Sequence, residues 1–162
     1  MKAVVQRVRN ASVLVDGSIT GSIDWGLLVY LGVSTEDNEK DAEWIAEKVI
    51  NLRIFEDTEE KMNLSIFDII KNSGQDSLKE KISIGVLAIS QFTLLGDVIK
   101  GRRPYFGAAA NPIKAKSLYE LFIAKIKDAG LICEAGVFQA HMDITYTNDG
   151  PVTILLDSPN HI

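Results

Sequence analysis

Two short segments of the chain combine polar side chains with backbone features that could do chemistry. The first, Ser90-Gln91-Phe92-Thr93-Leu94, places three polar side chains directly after the apolar run Val86–Ile89. The end of a buried strand is a place where a rigid scaffold can present reactive groups. A strand that simply ends in surface polar residues has the same pattern, and this segment alone leaves both interpretations open.

The second segment is Asn148-Asp149-Gly150-Pro151-Val152-Thr153. Proline has no N–H and glycine has no Cβ, so a Gly-Pro link can bring bare main-chain carbonyls close to a ligand. The same composition is typical of a plain β-turn between two strands. The residues of this segment do not decide between a binding feature and a turn.

A basic cluster follows the first segment. Lys100, Arg102 and Arg103 lie beside Tyr105 and Phe106, so cations for phosphates and aromatic faces for unstacked bases occur together. The net charge of −5 argues against an indiscriminate nucleic-acid binder, but it leaves room for a local basic patch. A solvated loop is the simpler interpretation, because short basic clusters are weak motifs.

The residue inventory disfavours several enzyme classes. The sequence has no glycine-rich phosphate loop, one cysteine (Cys133) and two histidines (His141 and His161). A structural zinc site needs four nitrogen or sulfur ligands, and an internal disulfide needs two cysteines. Neither histidine lies near a Gly-x-Ser-x-Gly turn, so a Ser-His-Asp triad is also disfavoured. We therefore expect neither a structural zinc site nor a conventional triad, and nucleotide or dinucleotide chemistry has little support.

The elements that must position these segments are mostly strands. Alternating residues over 4–9 predict a half-buried strand, and Asp16-Gly17 predicts a hairpin turn into a second strand. The remaining predicted strands are Ser18–Ile23, Leu27–Val33, Val86–Ile89, His141–Asn148 and Val152–Asp157.

Two helices are predicted. The first covers about 38–51, with apolar residues on one face. The second has Asn111 as its N-cap and Pro112 at its first position, and it stops at Gly130. Between the helices, Asp68–Ile84 contains a polar cluster and is expected to be an exposed loop where insertions are tolerated.

Because strands outnumber helices and most joins look like hairpins, we predict an α/β fold built on largely antiparallel sheets. It is expected to form one domain over residues 1–162. The apolar runs fall well short of the roughly 20 residues that a membrane helix needs, so a cytosolic protein without membrane contact is expected.

Taken together, the two segments are specific. Ser90–Leu94 and Asn148–Thr153 resemble the two signature motifs of the D-aminoacyl-tRNA deacylases. Further segments that resemble the family are Met1–Val8, Lys61–Ser65, Lys100–Pro104 and Gly136–Phe138 with Met142. One departure is Asp68–Ile84, which is longer than the usual join in the family and is interpreted as a loop insertion.

The resemblance implies a barrel-like core of sheets with two main helices packed outside. It also implies hydrolysis of the ester between a D-amino acid and the 3′-terminal ribose of a tRNA, with no metal and no cofactor. The Gly150–Pro151 peptide would be cis and would enter the active site of the other subunit of a homodimer. There its two carbonyls would hold the α-ammonium group and fill the space that an L side chain needs. Glycine, including glycine mischarged on tRNA(Ala), would escape this exclusion.

The resemblance also assigns roles to individual residues. The catalytic segment is Ser90, Gln91, Phe92 and Thr93, with backbone N–H groups near Phe92 and Thr93 as the oxyanion hole. The residues implied to bind substrate or tRNA are Arg7, Lys100, Arg102, Arg103, Phe138, Met142 and Asn148.

Alternatives stay open for several of these residues. Arg7, implied to fix the Gly-Pro link, could be an exposed strand cation. Phe138 and Met142, implied to hold the terminal adenosine, could be core residues. Thr93 could be a nucleophile rather than a positioning group.

Two other functions also remain open. One is a sister-type deacylase that clears other misacylated tRNAs. The other is a dimeric RNA-binding module without catalysis.

Overall fold

A computed structural model of the chain describes residues 1–73 and 82–159. The strands in this part are β1 (Lys2–Val15), β2 (Ser18–Gly32), β3 (Phe55–Glu56), β4 (Met62–Leu64), β5 (Ile84–Ser90), β6 (Ile132–Ala135) and β7 (Asp143–Asp157). The helices are α1 (Glu39–Asn51), α2 (Ile66–Ser73), α3 (Pro112–Asp128) and one 3₁₀ turn, Phe92–Leu95.

Strands β1 and β2 form the predicted hairpin. Asp16 and Gly17 both have positive φ, +49° and +78°, as a two-residue hairpin turn requires. The prediction of two separate strands after this turn was wrong, because β2 runs without a break. Strand β2 pairs with β1 from Ser18 to Gly32, and Gly26, with φ +141°, lies against the Gly85 backbone where a Cβ would not fit.

The main sheet has five strands in the order β6-β5-β2-β1-β7. Strand β1 is antiparallel to both β2 and β7, whereas β5 is parallel to both β2 and β6. The α/β class is confirmed, but the parallel half of the sheet corrects the prediction that hairpins form most joins. The connection from β2 to β5 contains α1 and α2, and α3 connects β5 to β6, so both are helical crossovers. The barrel-like closure stays a prediction, since β6 and β7 are the edges of this sheet.

The sheet has an apolar cluster on each face. The larger cluster joins the sheet to α1, α2 and α3, with Val29, Ile45 and Phe122 fully buried. The smaller cluster, on the opposite face, includes Val8, Val13 and other buried strand residues. Asn10, with φ +52°, marks an irregularity in the pairing of β1 with β7. This irregularity shifts the alternation, so that Val8 and Val13 both face the smaller cluster.

The helix ends confirm the sequence signals. The Asn111 side chain accepts a hydrogen bond from the Lys114 N–H, Pro112 is the first helical residue, and Gly130 follows α3 with φ +86°. Helix α1 begins after Asn38, whose capping box with Asp41 is complete. No helix in residues 1–73 and 82–159 is long and apolar enough to span a membrane.

The predicted loop Asp68–Ile84 was wrong at both ends. Residues 68–73 belong to α2, and Ile84 begins β5. Helix α2 starts here because Ser65 and Asp68 cap each other, the Asp68 carboxylate accepting from the Ser65 N–H at 2.8 Å. Residues 74–81 lie outside the described residues.

Candidate active site

The first predicted segment lies where β5 leaves the sheet. The Gln91 N–H still donates to the Leu31 carbonyl of β2 at 2.8 Å, and the chain then turns into the 3₁₀ helix Phe92–Leu95. Phe92 is 57% exposed, and the Thr93 hydroxyl accepts a hydrogen bond from the Gln91 amide. The N–H groups of Phe92 and Thr93 precede the first hydrogen bond inside this turn. The turn therefore provides main-chain donors at an exposed strand end.

A pocket of about 560 Å³ opens beside this strand end. Its walls are mainly apolar and come from β2, β5, the start of α3, the segment before β7 and Ile144 at the start of β7. The polar residues that line it are Ser90, Gln91, Gln139 and His141. Phe92 of the first segment also lines the pocket, whereas Thr93 is not part of its wall. An apolar pocket with a few polar groups has the character of a small-molecule site.

Phe138 and Met142 both line the pocket, where the family resemblance implies a place for the terminal adenosine. Phe138 also packs against Tyr119 of α3, with ring centroids 6.1 Å apart. Gln139, between the two, has φ +65°, a conformation that non-glycine residues rarely adopt. Nothing in the sequence around Gln139 indicates this conformation, because it depends on the tertiary fold of the pocket wall.

The basic loop is tied to the same strand end. Asp97 and Tyr105 exchange two backbone hydrogen bonds of 2.8 Å and so close the loop that carries Lys100, Arg102 and Arg103, all exposed. The Phe106 ring packs edge-on against Phe92, with centroids 5.0 Å apart. The three cations therefore project from a loop anchored beside the pocket.

The Gly150–Pro151 peptide is cis and lies on β7, the edge strand that is third along the sheet from β5. The prediction of two strands around this peptide was wrong: β7 is one strand, and it starts at Asp143 rather than His141. Gln6 pairs with Thr153 and Val8 with Asn148, so residues 149–152 bulge out opposite Arg7. Both Gly150 and Pro151 are exposed, and neither lines the pocket of its own chain.

Arg7 is buried, with only 5% of its surface exposed. Its guanidinium donates to the Ile54 carbonyl at 2.7 Å and to the Asp149 carbonyl at 3.1 Å. The alternative of an exposed strand cation is therefore wrong. Asn148 holds the other side of the bulge, where its side-chain oxygen accepts from the Val152 N–H at 3.2 Å.

The described residues support neither a side-chain triad nor a metal site. His141 lies on the pocket wall, but its side chain is 94% exposed and its partner, Asp143, is 80% exposed. Burial raises the pKa of the Cys133 thiol to about 12, so it is not a nucleophile near neutral pH. Residues 1–73 and 82–159 hold no cluster of His, Cys, Asp and Glu fit to bind a metal. His161 lies outside the described residues.

Comparison with known proteins assigns the chain to a family. The sequence profile described as D-Tyr-tRNA(Tyr) deacylase matches residues 4–157, a span that contains both segments. The chain belongs to the D-Tyr-tRNA(Tyr) deacylase family. Deacylation of a tRNA is hydrolysis of an ester, so the predicted class of ester hydrolase is confirmed.

Individual relatives of this deacylase match it over nearly the whole chain. A D-aminoacyl-tRNA deacylase from Koribacter versatilis is 57% identical over 158 residues, covering 98% of this chain and 97% of its own length. One of the same name from Kosmotoga olearia is 53% identical over 158 residues, with 98% and 97% covered. A solved structure of a c-Myc DNA unwinding element binding protein is 39% identical, with a TM-score of 0.83 and 98% and 99% of the two chains covered.

Proposed function

We propose that this deacylase hydrolyses the ester between a D-amino acid and the 3′-terminal ribose of a tRNA. The observation that carries the proposal is the family match over residues 4–157, because it includes both the segment at the pocket and the Gly-Pro bulge. The relatives named D-aminoacyl-tRNA deacylases cover nearly the whole chain, which supports the same substrate class. An enzyme with this substrate works where translation occurs, so we propose a cytoplasmic location.

We propose that the bound substrate spans the pocket and the basic loop. The terminal adenosine packs between Phe138 and Met142, and the phosphates of the acceptor end meet Lys100, Arg102 and Arg103. Apolar walls suit a base, and exposed cations suit phosphates. The loop that carries the cations is anchored to Phe92 through Phe106, which supports the idea that one tRNA end contacts both.

The chemistry we propose uses main-chain donors. An aminoacyl ester is already activated, so water oriented by the neighbouring 2′-hydroxyl of the ribose can attack the carbonyl carbon. The N–H groups of Phe92 and Thr93 stabilise the oxyanion that forms, a contribution of roughly 3–4 kcal/mol per donor. Thr93 positions groups and does not attack, because no hydrogen bond to a basic side chain activates its hydroxyl among the described residues. The ester bond breaks to release the amino acid and the free ribose hydroxyl.

Selection for D-amino acids is assigned to Gly150 and Pro151. Their carbonyls bind the substrate's α-ammonium group and occupy the space of an L side chain, so discrimination works by rejection. A D side chain points outward and need not be recognised, and glycine has no side chain to reject. This predicts activity on many D-aminoacyl esters and on glycyl esters, including those on tRNA(Ala).

We propose that Gly150 and Pro151 act in the pocket of a second subunit, which makes the enzyme a homodimer with its active sites at the interface. The start of β7, at Ile144, lines the pocket of its own chain, but Gly150 lies six residues further along β7, about 20 Å away at roughly 3.3 Å per residue. Strand β7 is also a long open edge with Leu155 76% exposed, and exposed edges of this kind favour pairing with another chain. These features support donation of the Gly-Pro bulge across the interface.

The test is hydrolysis of three purified substrates, D-Tyr-tRNA, L-Tyr-tRNA and Gly-tRNA, followed as loss of the aminoacyl ester. We expect rapid loss from D-Tyr-tRNA, measurable loss from Gly-tRNA, and from L-Tyr-tRNA only a very slow loss that is measured with enzyme in large excess. Efficient cleavage of the L ester would instead indicate a sister-type deacylase.

A second candidate function is nucleic-acid binding without catalysis. It is favoured by the basic loop and by the 39% identical relative whose name describes binding to a DNA element. In the same assay, binding of tRNA without loss of any of the three esters would establish this candidate and contradict the first.

A further inference from the structure

Asp149, directly before Gly150, is held by its main chain and its side chain at once. Its carbonyl accepts a hydrogen bond from Arg7 Nε at 3.1 Å. Its carboxylate Oδ2 lies 3.5 Å from the same Nε and 3.2 Å from Arg9 Nε. The side chain is 24% exposed, so these ion pairs are partly shielded from water. No other acidic residue among the described part of the chain bridges these two arginines.

The two arginines are themselves fixed from different directions. Arg7 is held by the β3 region, where its guanidinium donates to the Ile54 carbonyl at 2.7 Å and lies 3.4 Å from the Glu56 carboxylate. Arg9 is half-exposed, and its guanidinium lies over the Trp25 ring, 5.1 Å from the centroid. Arg7 and Arg9 are two residues apart on β1, so their side chains project from the same face of the sheet. The carboxylate of Asp149, on the neighbouring strand β7, contacts both. Asp149 therefore connects both arginines to the Gly-Pro bulge.

We propose that Asp149 is a positioning residue that sets chiral selection by holding the Gly150–Pro151 bulge between Arg7 and Arg9. This inference rests on the proposed function, in which the carbonyls of that bulge exclude L side chains. A carbonyl can exclude a side chain only while its own position is fixed, and a displacement of about 1 Å is enough to weaken a site of this kind. Arg7 donates to the carbonyl of Asp149, which belongs to the peptide that leads into Gly150. The ion pair between Arg9 and Asp149 limits rotation of the Asp149 side chain.

The same geometry argues against direct binding of the substrate's ammonium group by Asp149. Its Oδ2 is already shared by two guanidinium groups, and an added cation would be repelled by both. The two roles give different kinetics. A positioning residue controls the ratio of D to L hydrolysis, whereas an ammonium ligand controls KM for both enantiomers equally.

The test compares Asp149→Asn with Arg9→Met and Arg9→Lys, using single-turnover rates at a series of enzyme concentrations, which give kcat and KM for D-Tyr-tRNA and for the much slower reaction of L-Tyr-tRNA. We expect Asp149→Asn to lower the D-to-L ratio of kcat/KM about tenfold, the size of a coupling between contacting charged groups. Arg9→Met should lower it in the same direction, and Arg9→Lys should recover part of the loss. The double variant Asp149→Asn with Arg9→Met should be little worse than Asp149→Asn alone, because Asp149→Asn has already removed the ion pair that Arg9→Met removes.

Glu59→Gln is the matched control. It also removes one carboxylate, but Glu59 pairs with Lys61 on the exposed turn of the β3–β4 hairpin and does not contact Arg7. We expect its D-to-L ratio to equal that of the wild type. If Asp149→Asn folds poorly, Arg9→Met tests the same pair from its exposed side, where the Arg9 side chain is 52% accessible.

Three results would overturn the inference. The first is a D-to-L ratio within twofold of the wild type in both Asp149→Asn and Arg9→Met. The second is an equal rise of KM for both enantiomers, which would make Asp149 a substrate ligand. In both cases wild-type activity on D-Tyr-tRNA leaves the proposed function intact. The third is absence of that activity in the wild type, which overturns the proposed function and this inference together.

Discussion

At the scale of single residues, the proposed site relies on the main chain. The Thr93 hydroxyl is hydrogen-bonded to the Gln91 side chain and not to a base, and burial raises the pKa of the Cys133 thiol. His141 lies at the pocket but projects into solvent. We therefore propose the N–H groups at the start of the 3₁₀ turn as the donors that stabilise a negative charge.

The variant Thr93→Ala separates the two roles open to this residue. If Thr93 only positions groups, the folded variant should keep activity on D-Tyr-tRNA within about tenfold of the wild type, since the backbone donors remain. Thr93→Ser, which restores the hydroxyl, should recover the difference. Single-turnover hydrolysis measures both. A loss of more than about a thousandfold in correctly folded Thr93→Ala would make Thr93 the nucleophile.

Single residues also show where reasoning from sequence stops. The motif segments could be recognised, because their residue types are unusual together. The burial of Arg7 could not, since an arginine in an alternating strand is compatible with either face until the β3–β4 hairpin covers one of them. Asp149 was missed for the same reason: its partners, Arg7 and Arg9, are distant in sequence and come together only through the register of β1 with β7.

At the scale of elements, local signals predicted structure well where they were complete. The hairpin at Asp16-Gly17 and the capped helix after Asn111 have turn and cap residues at the required positions. Helix α2 was missed because its cap residues, Ser65 and Asp68, fell on both sides of the assumed loop boundary. Strand β7 was divided in two because a Gly-Pro pair normally ends a strand, whereas here β1 pairs with both flanks of the bulge.

The basic loop closed by Asp97 and Tyr105 is an element whose role can be measured by salt dependence. Replacing Arg102 and Arg103 with glutamine should weaken tRNA binding. It should also reduce the slope of log Kd against log salt by roughly 0.7–0.9 for each phosphate that the variant no longer neutralises. Titration of labelled tRNA at several salt concentrations gives this slope.

Lys127→Gln is the control for that titration, since it removes one exposed cation from the end of α3, outside the loop. It should leave the slope unchanged. If the double arginine variant keeps the wild-type slope, the loop does not contact phosphates, and the acceptor end must follow another path to the pocket.

At the scale of the whole molecule, one chain holds both parts of the proposed site but does not bring them together. The pocket and its donors lie at the end of β5, and the Gly-Pro bulge projects from the edge strand β7. A second copy can supply the missing part to each pocket if the two chains pair through a twofold axis. No pattern within a single sequence encodes this arrangement, so the homodimer could be expected only from the family resemblance.

Mixed dimers test this arrangement directly. Gly150→Ala distorts the Gly-Pro bulge, because φ is +129° at this residue and a Cβ would lie 2.8 Å from Val152 Cγ2 and 3.1 Å from Arg7 Nη2. Ala140→Trp blocks the pocket, because Ala140 lines its wall and the larger side chain would fill it. Each homodimer should be inactive on D-Tyr-tRNA. A purified heterodimer of the two variants should regain about half of the wild-type activity, because one of its two sites combines an intact pocket with an intact bulge.

The control for strain is Gly17→Ala, which also places a Cβ at a positive φ, +78°, but with nothing within 4 Å. As a homodimer it should keep wild-type activity, so that loss in Gly150→Ala can be attributed to the bulge and not to backbone strain in general. If each pocket instead used the bulge of its own chain, every site of the heterodimer would carry one defect. A verified heterodimer without activity would therefore exclude donation between subunits, and full activity in a protein shown to be monomeric would exclude it as well.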